Sequence, residues 1–176
     1  MRYLIAMPLE LSQAEDFIKL RDQYKGMAPR WKITLGPHIT IFRPSEFKLD
    51  KNEAIKVFKS APGFGRFNQQ FDGFEAFLNY SNNAVYSEPL DYQKFHDIKA
   101  AYEAVAQKIL QDTTEVWPFH PHLTLVNRLD EGPARQLLQK LEAVKFEKKY
   151  DFSKICLYKK DKGDPLWVEI ACNRLA

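Results

Sequence analysis

Four histidines occur in this chain of 176 residues, and two of them stand in the same short setting. One is Pro37-His38-Ile39-Thr40-Ile41; the other, in the second half, is Pro121-His122-Leu123-Thr124-Leu125. With only five threonines in the whole chain, composition does not account for two of them falling two residues after a Pro-His pair. Both stretches alternate polar and apolar residues as a strand does, which sends His38 and Thr40 to one face and Ile39 and Ile41 to the other. His122 and Thr124 do the same against Leu123 and Leu125. Two residues along a strand span about 6.5 Å, so one imidazole and one hydroxyl can touch a single phosphate-sized group. If the two copies pack about a pseudo-two-fold axis, one cleft receives two of each.

That set suits attack at phosphorus without a metal. Imidazole titrates at about 6.5, so one ring can be neutral while the other is protonated. The neutral ring takes a proton from the nucleophile as the charged ring gives one to the leaving oxygen. The hydroxyls meet the charge that grows on the nonbridging oxygens. The near-identity of the two copies leaves open which histidine is acid and which is base.

Other residues near the motifs have two readings each. Arg43 and Arg128 follow the motifs closely and either bind flanking phosphates through their paired donors or sit as surface charges at strand ends. Phe42, Phe119, Tyr158 and Trp167 offer rings on which a base could stack, against ordinary core packing. His120 precedes His122 by two and would share its face if the strand had begun, but Pro121 argues that it starts there. "FHPH" without a neighbouring acid or cysteine in ligand register is a weak metal signal, so no metal or cofactor is expected. His96 reads as a surface or packing residue of a helix, and the lysines of "YKKDKGD" as a solvated hairpin tip or a funnel for an RNA end. Cys156 and Cys172 lack metal-ligand spacing and are expected as buried free thiols. No phosphate-binding glycine loop or dinucleotide fingerprint is present.

The elements that must hold these groups follow from patterning. Length and a 45% apolar composition predict one soluble domain over residues 1–176. A net charge of +3 is too mild for bulk duplex binding and compatible with a local phosphate site. No apolar run is long enough to span a bilayer, and a cytoplasmic monomer is expected. "RYLIAMPL" reads as a buried strand, followed by a helix that Ser12 and Glu15 would cap. "HITIF" is a strand, and Lys51–Ser60 a helix. Two strand-like runs, "FNQQFDGFEAFLNY" and "NAVYSEPL", meet across "SNN". Tyr92–Gln111 is the longest helical pattern, "HPHLTLV" a strand, and Pro133–Val144 a helix. "DFSKICLYKK" and "DPLWVEIAC" would form a hairpin over a tight "DKGD" turn. Each half thus reads as motif strand, helix and strand pair, with "GFEAFLNY" echoing "DFSKICLY" and "AVYSEP" echoing "LWVEIA". The halves are expected to meet near residue 90.

The doubled His-x-Thr-x motif resembles the mark of the 2H phosphoesterase superfamily. "PRWKITLGPHITIF", "WPFHPHLTLVNR" and "FSKICLYKKDKGDPLWVEI" are similar to elements of its LigT-like branch, the 2′-5′ RNA ligase or RNA 2′,3′-cyclic phosphodiesterase family. The resemblance implies an α+β fold, duplicated and two-lobed, with antiparallel sheets lining a central cleft and helices packed outside. It implies acid–base catalysis by His38 and His122, phosphate contacts by Thr40 and Thr124, and a cyclic phosphate on an RNA end or nucleotide as substrate. Ligation in the reverse sense, action on another small nucleotide such as ADP-ribose cyclic phosphate, and a binding module without turnover are the alternatives. The branch often closes its second motif with arginine five positions after the histidine. Here that place holds Asn127, with Arg128 one later, while Arg43 fills it in the first copy. Trp167 stands where the branch usually has an aromatic, often tyrosine.

Overall fold

Five consecutive residues of the first strand, Tyr3–Met7, are buried, so both of its faces are covered. Tyr3, Ile5 and Met7 enter the main core, whereas Leu4 and Ala6 join a smaller apolar cluster on the opposite face. The computed structural model describes residues 1–78, 83–114 and 118–176. Its elements run β1 (Arg2–Pro8), α1 (Glu15–Tyr24), β2 (His38–Glu46), α2 (Lys51–Lys59), β3 (Phe67–Asp72), β4 (Glu75–Phe77) and β5 (Asn83–Ser87). They continue as α3 (Gln93–Ile109), β6 (Leu123–Leu129), α4 (Glu131–Leu141), β7 (Glu147–Phe152), β8 (Lys154–Lys160) and β9 (Val168–Arg174). The fold is α+β, as the resemblance implied. No described helix is long and apolar enough to cross a membrane.

Seven strands form one antiparallel sheet in the order β4-β5-β6-β2-β1-β8-β9, and β3 pairs with β7 in a separate ribbon. Matching β1-α1-β2-α2-β3-β4 to β5-α3-β6-α4-β7-β8 turns the sheet order, less β9, into its own reverse. The repeat therefore opens with a strand and helix before each motif. This overturns the expected echo of "AVYSEP" in "LWVEIA", because β5 answers to β1 and β9 has no counterpart. At the centre of the sheet the two motif strands are joined by one described ladder pair, Ile39 with Leu123. Their neighbours are zipped far more fully, so this junction is the seam between two lobes.

Local sequence explains most boundaries. Asp50 caps α2 by accepting from the Asn52 and Glu53 amides at 2.8 and 2.9 Å while Glu53 reaches back to the Asp50 amide. Such a box contributes about 1 kcal/mol. The cap expected at Ser12 does not form: α1 starts at Glu15 behind Ala14, because a turn over residues 11–13 keeps Ser12 outside the helix. Gln13 of that turn instead accepts from the Asp151 amide at 3.1 Å. The run expected as one strand from Phe67 breaks at Gly73, whose φ of +61° sends β3 to the ribbon and β4 to the main sheet. "DFSKICLYKK" breaks likewise at Ser153, between β7 and β8. The tight turn over "DKGD" forms, its Asp164 amide donating to the Asp161 carbonyl at 3.2 Å, but it sits within a seven-residue connection and β9 begins only at Val168. Residues 79–82, which carry most of the expected "SNN" turn, and Trp117 of the second motif's approach lie outside the described residues.

Cys156 and Cys172 face each other across β8 and β9 and form a disulfide, correcting the expectation of free thiols. A connection of residues 161–164 alone would have put Cys156 opposite Glu169. The longer connection and a register shift at Leu157/Tyr158 put it opposite Cys172.

Candidate active site

Both motifs lie at the seam. The antiparallel pairing of Ile39 with Leu123 sets Thr124 across from His38 and Thr40 across from His122. The four polar side chains thus form a square, with the histidines on one diagonal about 7–8 Å apart at Cβ. All four are half-buried, while Ile39, Ile41, Leu123 and Leu125 are fully buried on the other face.

Each imidazole is anchored in the same way. His38 Nδ1 lies 2.7 Å from the Gly36 carbonyl, and His122 Nδ1 lies 2.7 Å from the His120 carbonyl. A carbonyl oxygen only accepts, so Nδ1 donates in both rings and Nε2 is left to take or give a proton. Burial is the main force holding both imidazoles below their ordinary pKa. For His38 the Gly36 carbonyl opposes it and the Arg21 guanidinium adds to it. His122 is pushed down to about 4: burial leads, the His120 carbonyl opposes it, positive charge at His120 and His38 adds to it, and Glu88 opposes it. An anionic ligand between the rings supplies the missing countercharge and favours protonation.

A paired irregularity follows the motifs. Against β1 the register slips by one at Ile41, and against β5 it slips by one at Leu125. In both copies an extra residue is accommodated one place after the threonine, and the next residue, Phe42 or Val126, turns inward as well. The alternation resumes one step late, which returns Arg43 and Asn127 to the side of the histidines. Asn127 therefore holds the place of Arg43, and Arg128 does not. Arg128 is exposed, with a φ of +61°, and its amide donates to the Asn127 side chain at 2.6 Å. Arg43 is half-buried and engaged with Asp112 at 2.7 Å.

The two walls beside this square differ. On the side of β5 stand Phe77 and Tyr86, stacked at 4.1 Å, with His122 at 5.0 and 5.1 Å from their ring centres. His120 packs edge-on against both, and its Nε2 lies 2.6 Å from a Glu88 oxygen that also accepts from Tyr92 at 2.6 Å. A hollow of about 470 Å³ lined by Glu88, Asp91, Tyr92 and His96 opens next to it. On the side of β1, the wall is Leu4, Ala6, Tyr158 and the disulfide, with Leu35 and Trp167 packed on them.

The secondary candidates separate accordingly. Trp167 is half-buried on the apolar wall, tied by its amide to the Thr34 carbonyl at 3.1 Å. Tyr158 is buried within that wall and Phe42 within the main core, so neither ring is open to a base. Phe119 packs against His96, which is exposed as expected, and carries the Lys99 ammonium 4.9 Å above its ring. His120 precedes the first residue of β6, so it shares the site through its contacts and not through strand alternation. The lysine-rich tip is partly self-paired, Lys159 with Asp161 and Lys160 with the Pro165 carbonyl. Among the described residues, one group of three metal-ligand types converges, Cys156, Glu169 and Cys172, and the disulfide occupies both sulfurs. Glu88, Tyr86 and Phe77 were missed from sequence. The usable signal was their place on, just after or beside β5, which required knowing that β5 pairs with β6.

Comparison with known proteins bears on this geometry. The profile of the 2′-5′ RNA ligase superfamily matches residues 9–164. None of the curated proteins compared matches the chain. Among solved structures, Escherichia coli LigT complexed with 3′-AMP is similar at a TM-score of 0.67 and 16% identity, with 99% of this chain and 97% of that one covered. The TT0787 protein of Thermus thermophilus is similar at 0.66 and 14%, covering 99% and 98%. Usb1 of Kluyveromyces marxianus is similar at 0.51 and 9%, covering 96% and 97%.

Proposed function

The chain belongs to the 2′-5′ RNA ligase superfamily, and from that premise we propose that it is a cyclic phosphodiesterase that opens ribose 2′,3′-cyclic phosphates by two-histidine acid–base catalysis. One observation carries the reading: both motif imidazoles are pinned through Nδ1 to a carbonyl two residues upstream, leaving two Nε2 atoms across one seam. One Nε2 removes a proton from water as its oxygen bonds to phosphorus. The bond from phosphorus to one ribose oxygen breaks, and that oxygen takes the proton from the other ring, leaving a phosphate monoester. Thr40 and Thr124 donate to the nonbridging oxygens during the attack. A ribose hydroxyl in place of water would join two ends instead. Residues 1–176 act as one catalytic unit without a cofactor, its second copy opening with β5 at Asn83 and not near residue 90 as the patterning suggested. The substrate is a cyclic nucleotide or an RNA end. Structures of Escherichia coli LigT with ATP, 3′-AMP and NADP+ support a nucleotide-sized ligand.

Incubation with a 2′,3′-cyclic nucleotide, with both monophosphate isomers as standards, tests the reading. The expected result is one monophosphate and a bell-shaped dependence of kcat/KM on pH. His38→Asn and His122→Asn should each remove a different limb from the residual rate. Binding of the nucleotide without turnover would identify a binding module, and loss of the same limb in both variants would break the acid–base assignment.

A further inference from the structure

The internal repeat supplies its own control, because each group around His122 can be compared with the group at the same place around His38. Across from Thr40 lies Ala6; across from Thr124 lies Tyr86. Pro8 is paired with His38, whereas Glu88, next after Ser87, stands across from His122. The carbonyl that anchors His38 belongs to Gly36, and the one that anchors His122 belongs to His120. Alanine, proline and glycine in the first copy are thus tyrosine, glutamate and histidine in the second.

We propose that Glu88, His120 and Tyr92 form a positioning assembly behind His122 that has no counterpart among the described residues behind His38, making the two motif histidines unequal. Tyr92 and His120 both meet the Glu88 oxygen at 2.6 Å, and Phe77 and Tyr86 hold the His120 ring edge-on at 5.2 and 5.4 Å. The assembly acts on His122 in two ways. It fixes the residue whose carbonyl orients the His122 ring, and it places the His120 imidazole 6.1 Å from that ring with the Glu88 carboxylate at the His120 Nε2. A proton entering or leaving His122 therefore does so near a carboxylate–imidazole pair that has no equivalent among the described residues around His38. The ionisable groups in the charge environment of His122 are His38 from β2, His120 from the approach to β6, and Glu88 and Tyr86 from the β5 side. The side chains of the pair are about a third exposed, whereas the His120 Nε2 atom that faces Glu88 is itself buried.

The assignment of a catalytic consequence rests on the cyclic phosphodiesterase reading, and the test separates the two. In the unliganded protein, ¹³C-histidine NMR follows all four rings through a pH titration without any substrate. Glu88→Gln keeps the shape and removes the anion, so the His122 midpoint should fall. His120→Gln removes the neighbouring imidazole, which opposes protonation of His122, and leaves the carboxylate, so the midpoint should rise. Each shift should reach about half to one pH unit, with the His38 midpoint moving by less than about a third of that. If His120→Gln does not fold, Glu88→Gln decides alone. In kinetics, kcat on a cyclic nucleotide should fall about 10-fold in Glu88→Gln, with KM within about 2-fold and one limb of the pH profile displaced. Shifts of the same sign in both variants, or equal movement of His38 and His122, would overturn the proposal. A wild-type protein inactive on cyclic nucleotides but showing the opposed NMR shifts would uphold the assembly and defeat the substrate reading.

Discussion

Replacing His122 by asparagine should make the protein less sensitive to acid, and the size of the effect follows from the site. Burial and the positive charge at His120 and His38 hold the folded His122 at about 4. In the unfolded chain the same ring titrates at about 6.5. Above that value both states are neutral and the residue contributes nothing to pH dependence. As pH falls from about 6.5 to 4, the unfolded chain takes up a proton that the folded site refuses, so stability declines. A depression of roughly 2.5 pH units corresponds to about 3 kcal/mol, fully expressed at and below pH 4. His38 is held down as well and acts with the same sign in the same window. Asp16 and Asp112 are held below the usual carboxylate range, chiefly by the Lys148 contact and the Thr114 amide respectively, and lose their contribution from about pH 5 downward, equally in wild type and in the His122 variant, so the difference between the two cancels it. Comparing thermal melts of the two at constant ionic strength between pH 7 and pH 4 therefore isolates His122. His122→Asn should lose less of its Tm over that range than wild type, by roughly 6–12 °C for a chain of this length. The exposed His96→Asn serves as control and should track wild type. Parallel curves for wild type and His122→Asn would refute the claim that the site refuses protons when empty.

Thr40→Val and Thr124→Val preserve β-branching and should each lower turnover by about 10- to 1,000-fold with an unchanged melt; normal turnover in both would reduce the threonines to strand formers. Hydrolysis should survive exhaustive EDTA treatment, since among the described residues the one convergent group of metal-ligand types, Cys156, Glu169 and Cys172, includes neither motif histidine; loss on chelation with rescue by Mn²⁺ or Zn²⁺ would replace the two-histidine mechanism. Cys156→Ser should destabilise the protein by about 3 kcal/mol through loss of the β8–β9 bridge. An unchanged Tm under reducing and oxidising conditions would show that the bridge contributes nothing.

The square of His38, Thr40, His122 and Thr124 was legible because it is local: alternation within five residues fixes what His38 and Thr40 face, and repetition flags the second copy. The buried face of α3, with Phe95, Ile98, Tyr102 and Ile109, was legible for the same reason. What escaped depends on pairings between distant segments. "FNQQFD" and "EKKYDF" each read as an extension of a neighbouring strand, and only their mutual pairing makes them a ribbon. The slips at Ile41 and Leu125 leave no mark in a sequence that keeps apolar residues on both sides of them. Glu88 looks like a surface acid after a strand until β5 is laid beside β6. The disulfide turned on three residues of connection length between β8 and β9.

Helix packing adds something to the single ladder pair at the seam. α1 belongs to the first copy but packs on β6 of the second, and α3 belongs to the second copy but packs on β2 of the first. Each lobe thus lends the other the helix that backs its motif strand. Neither copy can complete its core until the other has been synthesised, so a ribosome-bound chain ending before β6 leaves α1 without a seat. Folding is then one concerted event whose decisive contacts join remote parts of the chain, a topology that folds slowly for its size. The same exchange splints the junction from behind, so the distance between the two histidines is set by helices that cross from one copy to the other.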